Sequence, residues 1–163
     1  MAGALLLAGA LPAYAQRDAD ISDKLLVQRY CAGIVQQFRM PDGTRADCIS
    51  DTHAIEVEKS GLWFQALGYA LWTRDIAEAE NPAALRPQSE QIHYRRKAGI
   101  VLVCLRPKEE GELCTEHYAH LRRVIEEYHL PVTIWDCNWN EHMTRSDCPV
   151  EDMPEPTLLQ KVE

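Results

Sequence analysis

The amino-acid sequence predicts a single α/β domain in which a mixed β-sheet is flanked by helices. Residues 44–49 and 53–58 are predicted to form two short, paired strands, and Ser50-Asp51-Thr52 between them suits a hairpin turn. Gly99–Leu105 is a nearly continuous apolar run, which is typical of a strand covered on both faces. A helical segment separates that run from the apolar stretch Val132–Trp135, so we expect these two strands to be parallel.

Length and composition limit the function classes that remain. The chain has 163 residues and is 46% hydrophobic, which fits one folded domain and excludes a mostly disordered chain. No apolar run reaches the roughly 18 residues of a membrane span. With 25 acidic residues against 17 Lys plus Arg, the formal net charge is −8, which argues against a surface that coats polyanions in general but is compatible with a local basic patch.

Three helices are predicted from apolar residues spaced three or four apart. The first begins at Asp23 with Ser22 as its N-cap, and its apolar spacing continues to Phe38. The second is capped by Ser60. Its predicted buried residues are Trp63, Phe64, Leu67 and Leu71.

The third helix is predicted to start near Thr115 and to end at Leu130-Pro131. Between the second helix and the long apolar strand, residues 78–97 show no clear period and are expected to form a long loop or a loop with a short helix. The acidic, Pro-rich residues 138–163 are expected to form a C-terminal tail, which leaves residues 16–137 as the folded domain.

The first fifteen residues have the pattern of a signal peptide. A small, apolar stretch ends at Pro12, and Ala13-Tyr14-Ala15 then matches the small-x-small site of a signal peptidase. An ordinary buried N-terminal helix is the alternative. Export implies a periplasmic or secreted protein with no stable membrane anchor after processing.

The cysteines support export. All six lie after residue 15, and an even number in an exported chain indicates disulfides, although six cysteines allow 15 pairings. Cys137 and Cys148 bracket one loop and Cys104 and Cys114 another, and a bridge across either loop would restrain it. No Cys-x-x-Cys occurs, which argues against a zinc ribbon.

Acidic residues gather on the predicted hairpin. Glu56 and Glu58 share one strand face because strand side chains alternate, and Asp47 on the neighbouring strand can lie opposite them. Carboxylates that converge in this way can bind Mg²⁺, with the Val57 carbonyl as a further ligand, and Lys59 could stabilise charge on a phosphoryl group. An ordinary solvated face is the alternative interpretation of the same residues.

The residues around this hairpin resemble a known superfamily. The carrying segments are Cys31, Pro-Asp-Gly-Thr-Arg-Ala-Asp-Cys at 41–48, Asp-Thr-His-Ala-Ile-Glu-Val-Glu at 51–58, Ala-Leu-Gly-Tyr-Ala-Leu-Trp at 66–72 and Gly-Ile-Val-Leu-Val at 99–103. Together they resemble bacterial proteins of the PD-(D/E)XK, restriction-endonuclease-like superfamily over about residues 25–136. The resemblance implies a restriction-endonuclease-like mixed sheet flanked by helices, and Mg²⁺-dependent cleavage of DNA or RNA phosphodiesters.

The resemblance places the metal acids of the family at Asp47 and Glu56, with Glu58 or Lys59 assisting catalysis. This chain departs from the family pattern at four positions. Leu62 stands where relatives usually have Lys, Tyr69 where they have Gln, Gln37 where they often have Glu, and Glu58 where the acid-x-Lys motif has its Lys. The sequence therefore leaves two functions open: a divergent nuclease, or an inactive nuclease-fold module with a structural or protein-binding role.

Two other groups of residues have weaker patterns. His117 and His120 lie three apart on one helix and could bind zinc with a third ligand, but no His-Glu-x-x-His occurs. The basic runs Arg95-Arg96-Lys97 and Arg122-Arg123 could contact a phosphate backbone or could simply be solvated.

Overall fold

The computed structural model describes residues 21–40, 42–79 and 96–152. The first fifteen residues, most of the expected 78–97 loop and the end of the chain therefore lie outside the described part. Within it, the elements in chain order are α1 (Asp23–Tyr30), β1 (Val35–Arg39), β2 (Arg45–Ile49), β3 (His53–Lys59), α2 (Trp63–Ala79), β4 (Lys97–Cys104), α3 (Pro107–Glu127), β5 (Val132–Asn138) and β6 (Val150–Asp152). Short 3-10 turns cover Ser60–Leu62 and Arg145–Asp147.

The strands of the described part form one mixed sheet in the order β1-β2-β3-β4-β5-β6. The first three are antiparallel, β3, β4 and β5 are mutually parallel, and β6 pairs antiparallel with β5. The parallel strands agree with the prediction from the strand–helix–strand pattern. The α/β class is therefore confirmed.

Helices cover both faces of the sheet. One apolar cluster joins Leu26, Val27 and Tyr30 of α1 to one face of the central strands. The other face packs against α2 and α3, where Leu121 and Ile125 are buried against the sheet. Because β4 is covered on both sides, its side chains from Ala98 to Cys104 are buried, as its apolar run predicts.

The first helix is shorter than its apolar spacing predicts. Ser22 accepts the Leu25 N–H as the expected N-cap, but α1 ends at Tyr30 and the chain continues as the edge strand β1. Gly33 has φ +81°, a left-handed conformation that a helix cannot contain. The prediction of a helix out to Phe38 was wrong because Val35 and Phe38, although apolar, are exposed strand residues that pair with β2.

The second helix presents smaller residues to the sheet than predicted. Its buried residues are Ala66, Leu67, Ala70 and Thr73, whereas Phe64 is 59% exposed. Small residues let α2 lie close to β3 and β4, so the larger rings are turned outward. Ser60 does not cap this helix: it opens the preceding 3-10 turn and donates its hydroxyl to Cys114 Sγ.

Two further boundaries differ from the sequence-based prediction. Helix α3 begins at Pro107, well before Thr115, because proline is well tolerated in the first turn. The segment expected to be a tail contributes β6 to the sheet.

Strand β6 is held by a polar network at the base of the sheet. Thr133 Oγ1 donates to Asp152 Oδ1 at 2.7 Å, and Lys97 Nζ lies 3.0 Å from Asp152 Oδ2. Because the Thr133 hydroxyl donates its proton to Asp152, Thr133 Oγ1 accepts a hydrogen bond from His53 Nε2 at 2.9 Å. Burial lowers the pKa of His53, which keeps the ring neutral near neutral pH.

All six cysteines are paired. The disulfides are Cys31–Cys48, Cys104–Cys114 and Cys137–Cys148, and they include both loop bridges that the sequence analysis considered. Cys48 and Cys104 lie within strands and are both oxidised, so neither is a free buried thiol. Three disulfides fit an oxidising compartment. Separately, no helix in the described ranges is long and apolar enough to cross a membrane.

Gly99 provides a test of the sheet packing. A Cβ there would lie 2.9 Å from Ile55 Cγ1 and 2.9 Å from Trp135 Cζ3, so we expect Gly99→Ala to destabilise the fold by about 1–3 kcal/mol. Gly111 in α3 has no atom within 4 Å of the same position, so Gly111→Ala should be neutral or slightly stabilising. Urea unfolding of both variants measures the difference, and equal stabilities would contradict the packing described.

Candidate functional site

The Asp47 and Glu56 side chains meet between β2 and β3. The register pairs Cys48 with Ile55, which places Asp47 opposite Glu56. The two carboxyl groups are hydrogen-bonded to each other, with Glu56 donating and Asp47 accepting. The structure therefore brings together the two acids that the sequence analysis singled out.

The main chain opens at this point of the hairpin. The paired residues of β2 and β3 extend only over Cys48–Ile55 and Ile49–Ala54. Beyond them, the Val57 N–H donates to Asp47 Oδ2 at 3.0 Å, so a side chain occupies the place of a main-chain ladder partner. The second oxygen, Asp47 Oδ1, accepts from Gln37 Nε2 at 3.0 Å.

Gln37 takes an unusual backbone conformation to reach Asp47. Its φ is +50°, the left-handed region, which is uncommon for a residue other than glycine. It lies on the exposed edge strand β1 and interrupts the regular pairing between Gln36 and Phe38. The hydrogen bond to Asp47 is the interaction that this conformation supports.

Glu56 is one of the few buried polar residues of the described chain, with 8% of its surface exposed. Thr73 of α2 donates its hydroxyl to Glu56 Oε1 at 2.7 Å. Burial, followed by the charge of Asp47, raises the pKa of Glu56 to about 8. Burial also raises the pKa of Asp47, although its hydrogen bonds oppose that shift. The pair therefore holds one shared proton at neutral pH, because two buried carboxylates in contact cannot both ionise without a cation.

Glu58 and Lys59 do not join the pair directly. Glu58 lies two residues along the same strand and accepts the Lys59 N–H, and burial raises the pKa of its carboxyl group. Lys59 Nζ is 3.0 Å from Asp23 Oδ1, an ion pair with the first turn of α1. The predicted assisting residues are thus near the site, but the ammonium group is engaged elsewhere.

The site can offer a cation two carboxylates. In residues 21–40, 42–79 and 96–152, no group of three or more His, Cys, Asp or Glu side chains could hold a metal ion. That finding also covers the suggested zinc pair, since His117 contacts Ser60 and His120 lies against Trp63. Mg²⁺ commonly takes one or two carboxylates and keeps several waters, so Asp47 and Glu56 are the residues of this site that could hold such an ion.

Two residues that contact the carboxyl pair, Gln37 and Thr73, were not predicted as site residues from the sequence. Gln37 was noted only as a departure from the family pattern, and Thr73 was not singled out. The signal for Thr73 was present: Ala66, Ala70 and Thr73 follow helical spacing on one stripe, and the last is polar. A polar side chain on a small-residue stripe indicates a buried partner.

The pKa of Glu56 predicts a pH-dependent stability. Folded Glu56 keeps its proton up to about pH 8, whereas an ordinary glutamate loses it near 4.5, so raising the pH between these values destabilises the fold. The loss is on the order of a few kcal/mol. In chelator-containing buffer, Glu56→Gln should remove most of this pH dependence.

Chemical denaturation at pH 5, 7 and 9 measures this effect. Glu127→Gln, at an exposed position of α3, is the matched control and should follow the wild-type profile. A wild-type stability that does not fall between pH 5 and 9, or a Glu56→Gln profile parallel to it, would show that Glu56 is ionised in the folded protein.

The chain was compared with known proteins. No protein-family model, no curated protein and no solved structure matches it. The functional assignment consequently depends on the geometry of the carboxyl pair and on the resemblance of the hairpin sequence.

Proposed function

We propose that this chain is an exported, divergent nuclease-like protein of the PD-(D/E)XK type, and that Asp47 and Glu56 bind a divalent cation for phosphodiester hydrolysis. The order of elements supports the restriction-endonuclease-like fold, because a helix, three antiparallel strands, a helix and a parallel strand follow one another from α1 to β4. That is the core order that the resemblance implies. Three disulfides and the signal-like first fifteen residues support a periplasmic or secreted location.

The observation that carries the proposal is the contact between Asp47 and Glu56 across an opened hairpin. Two carboxylates packed together repel each other unless a shared proton or a cation lies between them. The Val57 N–H and the Gln37 amide orient Asp47, and Thr73 orients Glu56. A solvated acidic face would not need these three donors, and they hold the two carboxyl groups together where a cation could replace the shared proton.

Each residue of the site has a distinct part in the proposal. Asp47, Glu56 and the Val57 carbonyl would hold the cation, and the cation would polarise a phosphate and lower the pKa of a bound water. Glu58 is the nearest further carboxylate on the strand and would accept a proton from the attacking water. Lys59 would reach a phosphoryl group only after its ion pair with Asp23 opens.

Specific observations favour the second candidate, an inactive nuclease-fold module. Glu58 stands where the acid-x-Lys motif has its Lys, and Lys59 is held by Asp23. The described residues also contain no third His, Cys, Asp or Glu to complete a metal-binding group with the pair. Such a module would act as a structural or protein-binding domain outside the cytoplasm.

A nuclease assay distinguishes the two candidates. Protein made in an oxidising compartment is incubated with Mg²⁺ or Mn²⁺ and with single-stranded DNA, duplex DNA and RNA. We expect metal-dependent cleavage that falls at least about 100-fold in Asp47→Asn and in Glu56→Gln, because loss of the cation removes several kcal/mol of transition-state stabilisation. Asp51→Asn, in the exposed hairpin turn, is the matched control and should cleave like the wild type.

The outcome that would overturn the proposal is equally clear. If folded wild-type protein cleaves none of these substrates with either metal, the inactive module is the better description. Cleavage that persists in both site variants would show that the activity belongs to another site or to a contaminant.

A further inference from the structure

A groove of about 600 Å³ runs along the outer flank of α2. One wall is formed by aromatic side chains of α2, and the other by the start of β2 at Thr44 and Arg45. Thr73 lines the same groove and also binds Glu56, so a single side chain separates one end of the groove from the carboxyl pair.

Three large aromatic rings of this groove are exposed to solvent. Phe64 is 59% exposed, Tyr69 54% and Trp72 56%. Phe64, Gly68 and Trp72 lie four residues apart on one side of the helix, and a Cβ on Gly68 would meet no atom within 4 Å. The glycine therefore leaves an open gap between two rings. Clustered exposed rings on a small domain are typical of a binding surface, not of a packing face.

The other wall carries positive charge. Arg39 and Arg45 are directly opposite each other in the β1–β2 ladder. Like charges at this position repel, and neither arginine forms an ion pair within the part of the chain that the structure describes. In a chain with a net charge of −8, these two adjacent arginines beside the rings favour an anionic occupant.

We propose that this groove binds a single-stranded polynucleotide, with bases stacked on Phe64, Tyr69 and Trp72 and phosphates held by Arg45 and Arg39. Stacking on exposed rings needs bases whose faces are free, which a duplex does not offer. Trp72 is oriented by its indole N–H, which donates to Asp42 Oδ2 at 3.3 Å. This inference rests on the proposed nuclease function. It narrows the substrate of the nuclease to single-stranded DNA or RNA that lies along α2.

Binding of a fluorescein-labelled oligonucleotide, measured by anisotropy in low salt with EDTA, tests the groove without cleavage. We expect a single strand of about 12 nucleotides to bind at least tenfold more tightly than the matching duplex. Trp72→Ala and Phe64→Ala should each weaken binding about fivefold or more, since stacking on one ring contributes about 1–3 kcal/mol. Arg45→Ala should weaken binding and reduce its salt dependence.

Tyr128→Ala is the matched control, because Tyr128 is 66% exposed but lies after the end of α3, outside the groove. This variant should bind like the wild type. Circular dichroism spectra and unfolding curves of all variants establish that they are folded.

Several outcomes would overturn the inference. The inference fails if duplex and single strand bind equally well, or if the groove variants bind as tightly as the wild type. It also fails if sedimentation shows a dimer that Phe64→Ala dissociates, because the groove would then bind a second copy of the chain. Groove-dependent binding without cleavage in Mg²⁺ would count against the proposed function alone. Cleavage that is unaffected by the groove variants would count against the groove alone.

Discussion

The hydrogen bond from the Val57 N–H to the Asp47 carboxylate is the interaction on which the site depends. It takes the place of a main-chain ladder bond, so β2 and β3 separate where the strands of a regular hairpin would continue to pair. Glu56 meets Asp47 at this opening, and both carboxyl groups lie in the same largely buried surroundings. The partners on either side follow from this: Gln37 adopts a left-handed φ to reach Asp47, and Thr73 reaches Glu56 from the helix above.

The surrounding fold holds this opening in place. Cys48 follows Asp47 directly and is bonded to Cys31 at the end of α1, so the strand that carries the acid is fixed covalently to the helix beneath the sheet. On the opposite face, the small residues Ala66 and Ala70 let α2 approach β3 closely enough for Thr73 to bind Glu56. The same choice of small inward residues turns Phe64 and Trp72 outward. Close packing at the site and exposed rings along the groove are therefore two results of one sequence pattern.

The parts of the structure that depend on local pattern were predictable. The hairpin, the buried β4 and the parallel β4–β5 pair all followed from alternation, apolar runs and connection length. The end of α1 was not predictable, because Val35 and Phe38 continue the helical spacing. Only the left-handed Gly33 and the pairing with β2 show that the chain leaves the helix and forms a strand. Strand β6 was missed because an acidic, proline-rich segment lacks strand patterning, and a disulfide and the Thr133–Asp152 bond hold it in place. The proximity of Asp47 and Glu56 could be expected from the sequence, because strand alternation limits which residues share a face.

The central claim is that Asp47 and Glu56 form one site for a divalent cation. Titration with Mn²⁺, followed by electron paramagnetic resonance of the free ion, tests it without any assumption about substrate. The account predicts one bound Mn²⁺ per chain in the wild type, and loss of that binding in both Asp47→Asn and Glu56→Gln. Absence of Mn²⁺ binding by the folded wild-type protein, or binding that survives in both variants, would contradict it.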